Sequence, residues 1–320
     1  MPFWKPESEE EKRRKAAKEA SRKSIEMGGL PTLAKHRLQV QKQLGSHFFT
    51  SDLSCQEYLL TRQGGYEPIS LVMGTAFYKV GFWGSFNTYR NFTGELTNLT
   101  QAQLAARELA VSRMQQEAAI LGAHGVIGVK VKVKGYDKRS RTIEFTAIGT
   151  AIRVPNREPE PQPFTSALTG QEFWQLHQAG FMPKGLVFGI CSYYIHTDNQ
   201  TRSITNPGLF GLLSGNWLMN QELTQYTTGF QTARHLAMSR LTNDIQKHAA
   251  EGAVGMQILA ELEEIEYELN NTTYHDLLAH FVAMGTSIIQ DHQEKATSGR
   301  SPLLIYNLAS GKSEQIKVDL

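Results

Sequence analysis

Three blocks of this sequence occur twice, in the same order, and that repetition constrains the fold more than any other feature. Phe49–Tyr58 (FTSDLSCQEY) returns as Phe164–Phe173 (FTSALTGQEF), Ala106–Met114 (ARELAVSRM) as Ala233–Leu241 (ARHLAMSRL), and Glu144–Ile152 (EFTAIGTAI) as His280–Ile288 (HFVAMGTSI). The offsets are 115, 127 and 136 residues and only grow. Chance similarity does not produce this, whereas internal duplication does. The growth places about twelve additional residues of the second copy in the Gly/Asn/Ser-rich run His196–Trp217, and about nine more between its two closing strands. Such insertions are expected in surface loops, where they disturb no core. The chain therefore divides into a charged helical arm and linker (1–46), a first module (47–154), a Pro-rich linker (155–161), a second module (162–290) and a C-terminal tail (291–320).

Each copy reads alike. Ile69–Val80 and Gly185–Ile195 are apolar, β-branched and aromatic, as strands are. A helix follows. In the first copy Thr100 is a candidate cap, and Ala106, Ala110, Met114, Ala118 and Leu121 then recur at spacings of three and four. Ala233, Ala237, Leu241 and Ile245 repeat the stripe. Both helices end in small-residue turns, where Gly125 and Gly252 suit a left-handed stop. A two-strand unit closes each copy. The fold class is thus α+β: two tandem β-α-β-β modules, each a helix packed on a small antiparallel sheet, plus the N-terminal arm.

The composition is 40% hydrophobic and 20% charged, ordinary for a globular protein with real cores. The net charge of +2 offers no global field for nucleic acid, and no nucleic-acid partner is expected. Two cysteines, Cys55 and Cys191, are too few for a disulfide framework or a thiolate cage, so a cytoplasmic setting fits best. The N-terminus lacks the apolar core of a secretory signal, and the longest apolar runs fall short of a membrane span. The sequons at Asn91, Asn98, Asn199 and Asn271 then carry no glycosylation message.

The run ARELAVSRM…LGAHGVIGV…EFTAIGTAIR resembles the YbjQ family, small bacterial proteins named for heavy-metal binding. The matching positions are Leu121–Val129 and Ala147–Ala151, with Ala250–Gly255 and Ala283–Ser287 a looser echo in the second copy. The resemblance implies a dodecin-like β-α-β-β subunit that assembles into rings, often pentamers, with no assured activity. The Gly-rich stretch preceding the helix in single-domain members is replaced here by GFWGSFNTYRNFTGELT and GLLSGNWLMNQELT. A heavy metal is implied by the family name alone, and no other cofactor is expected.

The residues themselves offer no metal centre. Cys191 and His196 are five apart on a strand, which sends them to opposite faces; His235 and His248 are thirteen apart on a helix; His124 and His177 stand alone. No CxxC, HxH or HExxH spacing occurs, and no Cys or His recurs between the copies. Nor is there a GxSxG elbow, a Walker loop or a GxGxxG loop. Gly28–Gly29 and Gly64–Gly65 read as turns. The chain is accordingly read as no enzyme, and no catalytic residue is assigned.

Shared and diverged charges point instead to assembly. Arg107 and Arg113 match Arg234 and Arg240, either as solvated, ion-paired groups or as bridges to a neighbouring module. Lys130, Lys132 and Lys134 alternate along one closing strand of the first copy, where the second has Glu261, Glu263, Glu264, Glu266 and Glu268. Each run suits a solvated edge, and together they would guide first copy against second. The arm passes from acidic to basic (Lys12, Arg13, Arg14, Lys15) and ends at Gly28–Gly29, complementing a helix dipole. With Phe3 and Trp4 beside it, it could dock on an acidic membrane surface or protein partner.

The favoured reading is a ring-forming scaffold or binding protein whose partner is itself, with five chains stacking a ring of first copies on a ring of second copies. A single ring with an even number of modules is the other arrangement. A metal or small molecule at module interfaces, or membrane docking through the arm, are the alternatives. Reversing Lys130, Lys132 and Lys134 to Glu should weaken assembly at low salt; an unchanged particle mass in native mass spectrometry would sink the charge-guidance idea.

Overall fold

A computed structural model describes residues 8–43, 49–80, 92–137, 142–155, 158–205, 220–269, 272–290, 304–307 and 312–315. The arm is a helical hairpin, α1 (Glu9–Glu26) and α2 (Thr32–Gln43). The first half continues with α3 (Cys55–Gln63), β1 (Glu67–Lys79), β2 (Gly94–Glu95), α4 (Thr97–Leu121), β3 (Gly125–Asp137) and β4 (Thr142–Arg153). The second half has β5 (Phe164–Thr165), α5 (Gly170–Gln178), β6 (Phe181–Ile195), α6 (Asn199–Thr205), α7 (Thr224–Lys247), β7 (Gly252–Leu269) and β8 (Thr272–Gln290). A separate two-stranded ribbon, β9 (Leu304–Asn307) with β10 (Lys312–Gln315), follows. The fold is α+β.

Both large sheets have four strands, in the orders β1-β4-β3-β5 and β2-β6-β8-β7. The long strands pair antiparallel in each, as β1/β4/β3 and as β6/β8/β7. Each sheet is finished by two residues from the other half: β5 pairs parallel with β3, and β2 antiparallel with β6. The sequence reading assigned each copy its own sheet and did not foresee this exchange.

The alanine stripe explains how tightly helix meets sheet. Ala106, Ala110, Met114, Ala118 and Leu121 on α4 are all buried, as are Ala233, Ala237 and Leu241 on α7. Alanine keeps the helix surface low, and a glycine on each sheet removes the last obstacle. A Cβ added at Gly74 would lie 1.9 Å from the Ala110 carbonyl oxygen, and one at Gly189 2.0 Å from that of Ala237. No relaxation of one side chain can relieve a clash with backbone.

Several local readings change. α4 begins at Thr97, three residues before Thr100, with Leu96 at the cap and no side-chain cap bond. Leu223 plays the same part for α7. Thr100 instead accepts from Ser192 N across the two halves. The left-handed stop is Gly122 (φ 79°) after α4 and Ala249 (φ 49°) after α7, while Gly125 and Gly252 open strands. The arm holds a second helix, α2, whose Leu38 is buried against the core of the first half. Short helices α3 and α5 precede β1 and β6, each opened by a capping box, Ser54/Glu57 and Thr169/Glu172. The nine-residue insertion lengthens β7 and β8 themselves, carrying Ile265 and Leu278 into a cluster with Leu96 and Leu99 of the first half. Of the His196–Trp217 insertion, 199–205 form α6, and 206–219 lie outside the described residues.

Gly74→Ala and Gly189→Ala should each lower stability by about 3 kcal/mol, the upper end of ordinary overpacking. Urea unfolding followed by circular dichroism measures this, with Gly252→Ala, which meets nothing within 4 Å among the described residues and has no left-handed φ, as the comparison.

Candidate functional site

The chemistry-bearing side chains gather where the two halves meet. β5 and the residues that follow it, 164–168, run along the outer edge of β3. Phe164 N donates to His124 O (3.1 Å) and Ser166 N to Val126 O (2.8 Å). Val129 N donates to Ser166 O (2.9 Å) and Gly128 N to Leu168 O (2.9 Å). The Phe164 ring fills the space a side chain would take at Gly125, its nearest atom 2.2 Å from where that Cβ would stand.

On the adjoining surface the outer flank of α4 rests on β6. Ser192 N donates to Thr100 Oγ1 (3.0 Å), and the Ser192 hydroxyl donates to Gln103 Oε1 (3.0 Å). One turn further, Arg107 lies with its guanidinium carbon 3.3 Å from the Phe188 ring centroid and Nη2 3.9 Å from Asp244 on α7. It is 5% exposed, and its Nε and Nη1 have no hydrogen-bond partner among the described residues. Burial pulls its pKa down to about 10, opposed by the charges of Asp244 and Glu108, so it remains a cation at neutral pH. Arg240 on α7 reaches the other way, donating to Ile190 O (3.0 Å) and to Glu95 of β2 (2.8 Å).

Between these contacts lies a cleft of about 560 Å³ whose wall includes Arg107, Glu108, His124, Phe164, Lys184 and His248. His124 is committed to backbone: Nδ1 accepts from Val154 N (3.1 Å), so Nε2–H donates to Glu158 O (2.8 Å). An anion is the ligand such a wall suits, since its buried guanidinium has donors to spare.

The remaining candidates scatter. Arg113 donates to Thr75 O (2.6 Å) and to Ile25 O of α1 (3.1 Å), and Arg234 is exposed on α7. Lys130 pairs with Asp52 (2.6 Å) within the first half, Lys132 is exposed, and Lys134 lies opposite Glu144 in the β3/β4 ladder. In the acidic run, Glu264 meets His275 (2.7 Å), Glu263 lies 4.0 Å from His280, and Glu261 is exposed. Lys12 pairs with Glu9 (3.2 Å), Arg13, Arg14 and Lys15 are exposed, and Trp4 lies outside the described residues.

No three His, Cys, Asp or Glu side chains among the described residues converge as a metal site would require. Cys191 is buried in the α7 core, where burial and then the charge of Glu95 push its thiol up to about 12. These donors do not fit a metal centre. A buried carboxylate does appear at Asp276, but as an anchor: it accepts from Tyr194 OH (2.6 Å) and Thr197 N (2.8 Å) and lies 3.1 Å from His196 Nδ1.

The sequence reading missed Glu95, Phe188, Ser192 and Asp244. A signal existed for two of them. The offset that matches the arginines also matches Glu117 with Asp244 and Glu95 with Glu222, each acid ten residues or so from an arginine shared by both copies.

The family described as "Putative heavy-metal-binding" (YbjQ) matches residues 66–155. Over 245 residues the chain is 34% identical to a Mycobacterium tuberculosis protein named an encapsulin nanocompartment protein, spanning 75% of this chain and 85% of that relative. It is 41% identical over 66 residues to a UPF0145 protein of Thermus thermophilus, 20% of this chain and 56% of the relative. A UPF0145 protein of Bifidobacterium longum is 29% identical over 105 residues, 33% of this chain and 93% of its own length. No solved structure matches. No helix among the described residues is long and apolar enough to cross a membrane. The family match at residues 66–155, together with a relative 34% identical over 85% of its length, means that the chain belongs to the YbjQ-like family.

Proposed function

We propose that this chain is a non-enzymatic, ring-forming scaffold, built from two tandem dodecin-like modules. One observation carries the reading. The first sheet's β3 is buried from Gly125 to Ile127 and at Val129, whereas β7, its counterpart in the second half, exposes Met256, Ile258, Leu259 and Leu262 at 39–58%. A long apolar edge of this kind invites another strand, and a protein that keeps one has a use for it. The similarity to a protein named for an encapsulin nanocompartment supports an assembly role. The two halves lie side by side through β5 and β2, which supports a single ring of alternating modules over two stacked rings of five.

Light scattering and native mass spectrometry of the full chain should show a closed, multi-chain particle at micromolar concentration. A monomer throughout that range would overturn the scaffold reading.

A second reading rests on the cleft beside Arg107. Two buried guanidinium nitrogens without partners favour a small anionic ligand there, bearing a carboxylate or phosphate, at the module interface. Arg107→Gln should weaken binding of inorganic phosphate at least tenfold in calorimetry. Equal affinity in the two proteins, or no binding by either, would remove this reading.

A further inference from the structure

We infer that the contact between the two halves of one chain is the template for the contact between chains: the second half of each molecule docks on the first half of the next, head to tail. This rests on the scaffold reading above and specifies its joint.

The template needs four things, and the chain carries a second copy of each. The first is the segment that lies along the edge. Residues 49–53 repeat 164–168 and are already held in the same pose on their own half. Leu71 N donates to Thr50 Oγ1 (3.2 Å) as Leu186 N does to Thr165 Oγ1 (3.1 Å). Asp52 N donates to Thr150 Oγ1 (3.2 Å) as Ala167 N does to Thr286 Oγ1 (2.9 Å). Leu53 N donates to Ser51 Oγ as Leu168 N does to Ser166 Oγ. Phe49 stacks on Tyr58 as Phe164 stacks on Phe173. Residues 164–168 spend their outer edge on β3. Residues 49–53 pair with no strand among the described residues.

The second is the edge that receives it. Gly252–Met256 repeat Gly125–Val129, down to the bulge at a left-handed glycine, Gly255 (φ 62°) for Gly128 (φ 64°). β7 is the last strand of its sheet among the described residues. Gly125 is covered by the Phe164 ring, whereas a Cβ added at Gly252 would meet nothing within 4 Å among the described residues. The vacancy is where the Phe49 ring of a neighbouring chain would lie.

The third is the apolar face. Leu186 and Phe188 on β6 are buried against the first half; their counterparts on β1, Leu71 and Met73, are 40% and 49% exposed, with Phe77 beyond them at 68%. Opposite them, Met256 and Ile258 stand where β3 has Val129 and Val131.

The fourth is charge. Where Arg107 meets Asp244 inside the chain, exposed Arg234 would meet Glu117 of the next molecule. Glu117 already accepts from Met73 N (2.9 Å), as Asp244 does from Phe188 N (3.1 Å). Where Arg240 meets Glu95, Arg113 would meet the preceding molecule's Glu222. Arg113 grips Thr75 O as Arg240 grips Ile190 O, yet its buried Nε has no partner among the described residues. In the single chain the arm supplies partial substitutes, with Arg37 3.7 Å from Glu117 and Ile25 O accepting from Arg113. A joint in which one surface meets a different surface must close into a ring or run on as a fibre.

The β2/β6 pairing sets the test. Gly94 lies opposite Tyr194 and Glu95 opposite Tyr193, so Gln221 of one chain should lie opposite Lys79 of the next. Directly opposed residues of antiparallel strands are within disulfide range, with Cα atoms about 4.5–5.5 Å apart. In a Cys55→Ser background, Lys79→Cys and Gln221→Cys chains are co-expressed and oxidised. A crosslinked dimer is expected from the mixture and from neither variant alone; its absence from a multi-chain particle would overturn the inference while leaving the scaffold reading intact. Gly252→Leu should keep the circular dichroism and unfolding midpoint of the parent chain yet reduce particle mass to that of one chain. A particle of unchanged mass in that variant would equally overturn the inference. A parent chain that is monomeric would remove the scaffold reading together with its joint.

Discussion

Pairing of residues 164–168 with the outer edge of β3 is the contact on which the rest of the structure depends. A small sheet with a naked edge is a poor unit by itself. Here the start of the second half covers that edge before its own sheet begins, and β2 returns the service to β6. Apolar faces that would otherwise be wet, such as Leu186 and Phe188, are then removed from water, and that burial supplies the main stabilisation. Arg107 can be tolerated in this setting because Phe188 covers its face and Asp244 lies within reach of its charge.

Much of this was legible in the sequence, for identifiable reasons. The alanine stripe of α4 and α7 and the β-branched character of β1 and β6 are periodic signals, set by the face each residue must turn to the core. The helix starts were not legible. Thr100 has the chemistry of a cap, but its hydroxyl is taken by Ser192, ninety-two residues away, and such a competition between distant partners leaves no local trace. The end of α7 misled for a related reason: Ala249 adopts a left-handed turn that glycine would be expected to occupy. The capping boxes of α3 and α5 were readable as Ser-x-x-Glu and Thr-x-x-Glu, but helices of nine residues give too few periods for a stripe to show.

The candidate interface was half visible. The arginines emerged because both copies keep them. Their carboxylate partners changed identity, Glu117 to Asp244, or sat in short linking strands such as Glu95, and so escaped a search for identical residues. The lysine and glutamate runs are conspicuous in composition, yet Lys130 turns to Asp52 and Glu264 to His275, so part of each run is spent inside its own half. Conspicuous charge marked the surface, whereas quiet, position-matched charge marked the contact.

The lengthened β7–β8 hairpin bears on shape. Its extra residues carry Ile265 and Leu278 across to Leu96 and Leu99, tying the tip of the second half to the start of α4. That tie acts as a strut, resisting rotation of one half against the other. The β3–β4 hairpin, with strands of 13 and 12 residues against 18 and 19, is too short to brace a neighbour in the same manner. Chains joined end to end would therefore be stiff within each molecule and compliant at the joints, and the curvature of any ring they formed would be decided where the strut is missing.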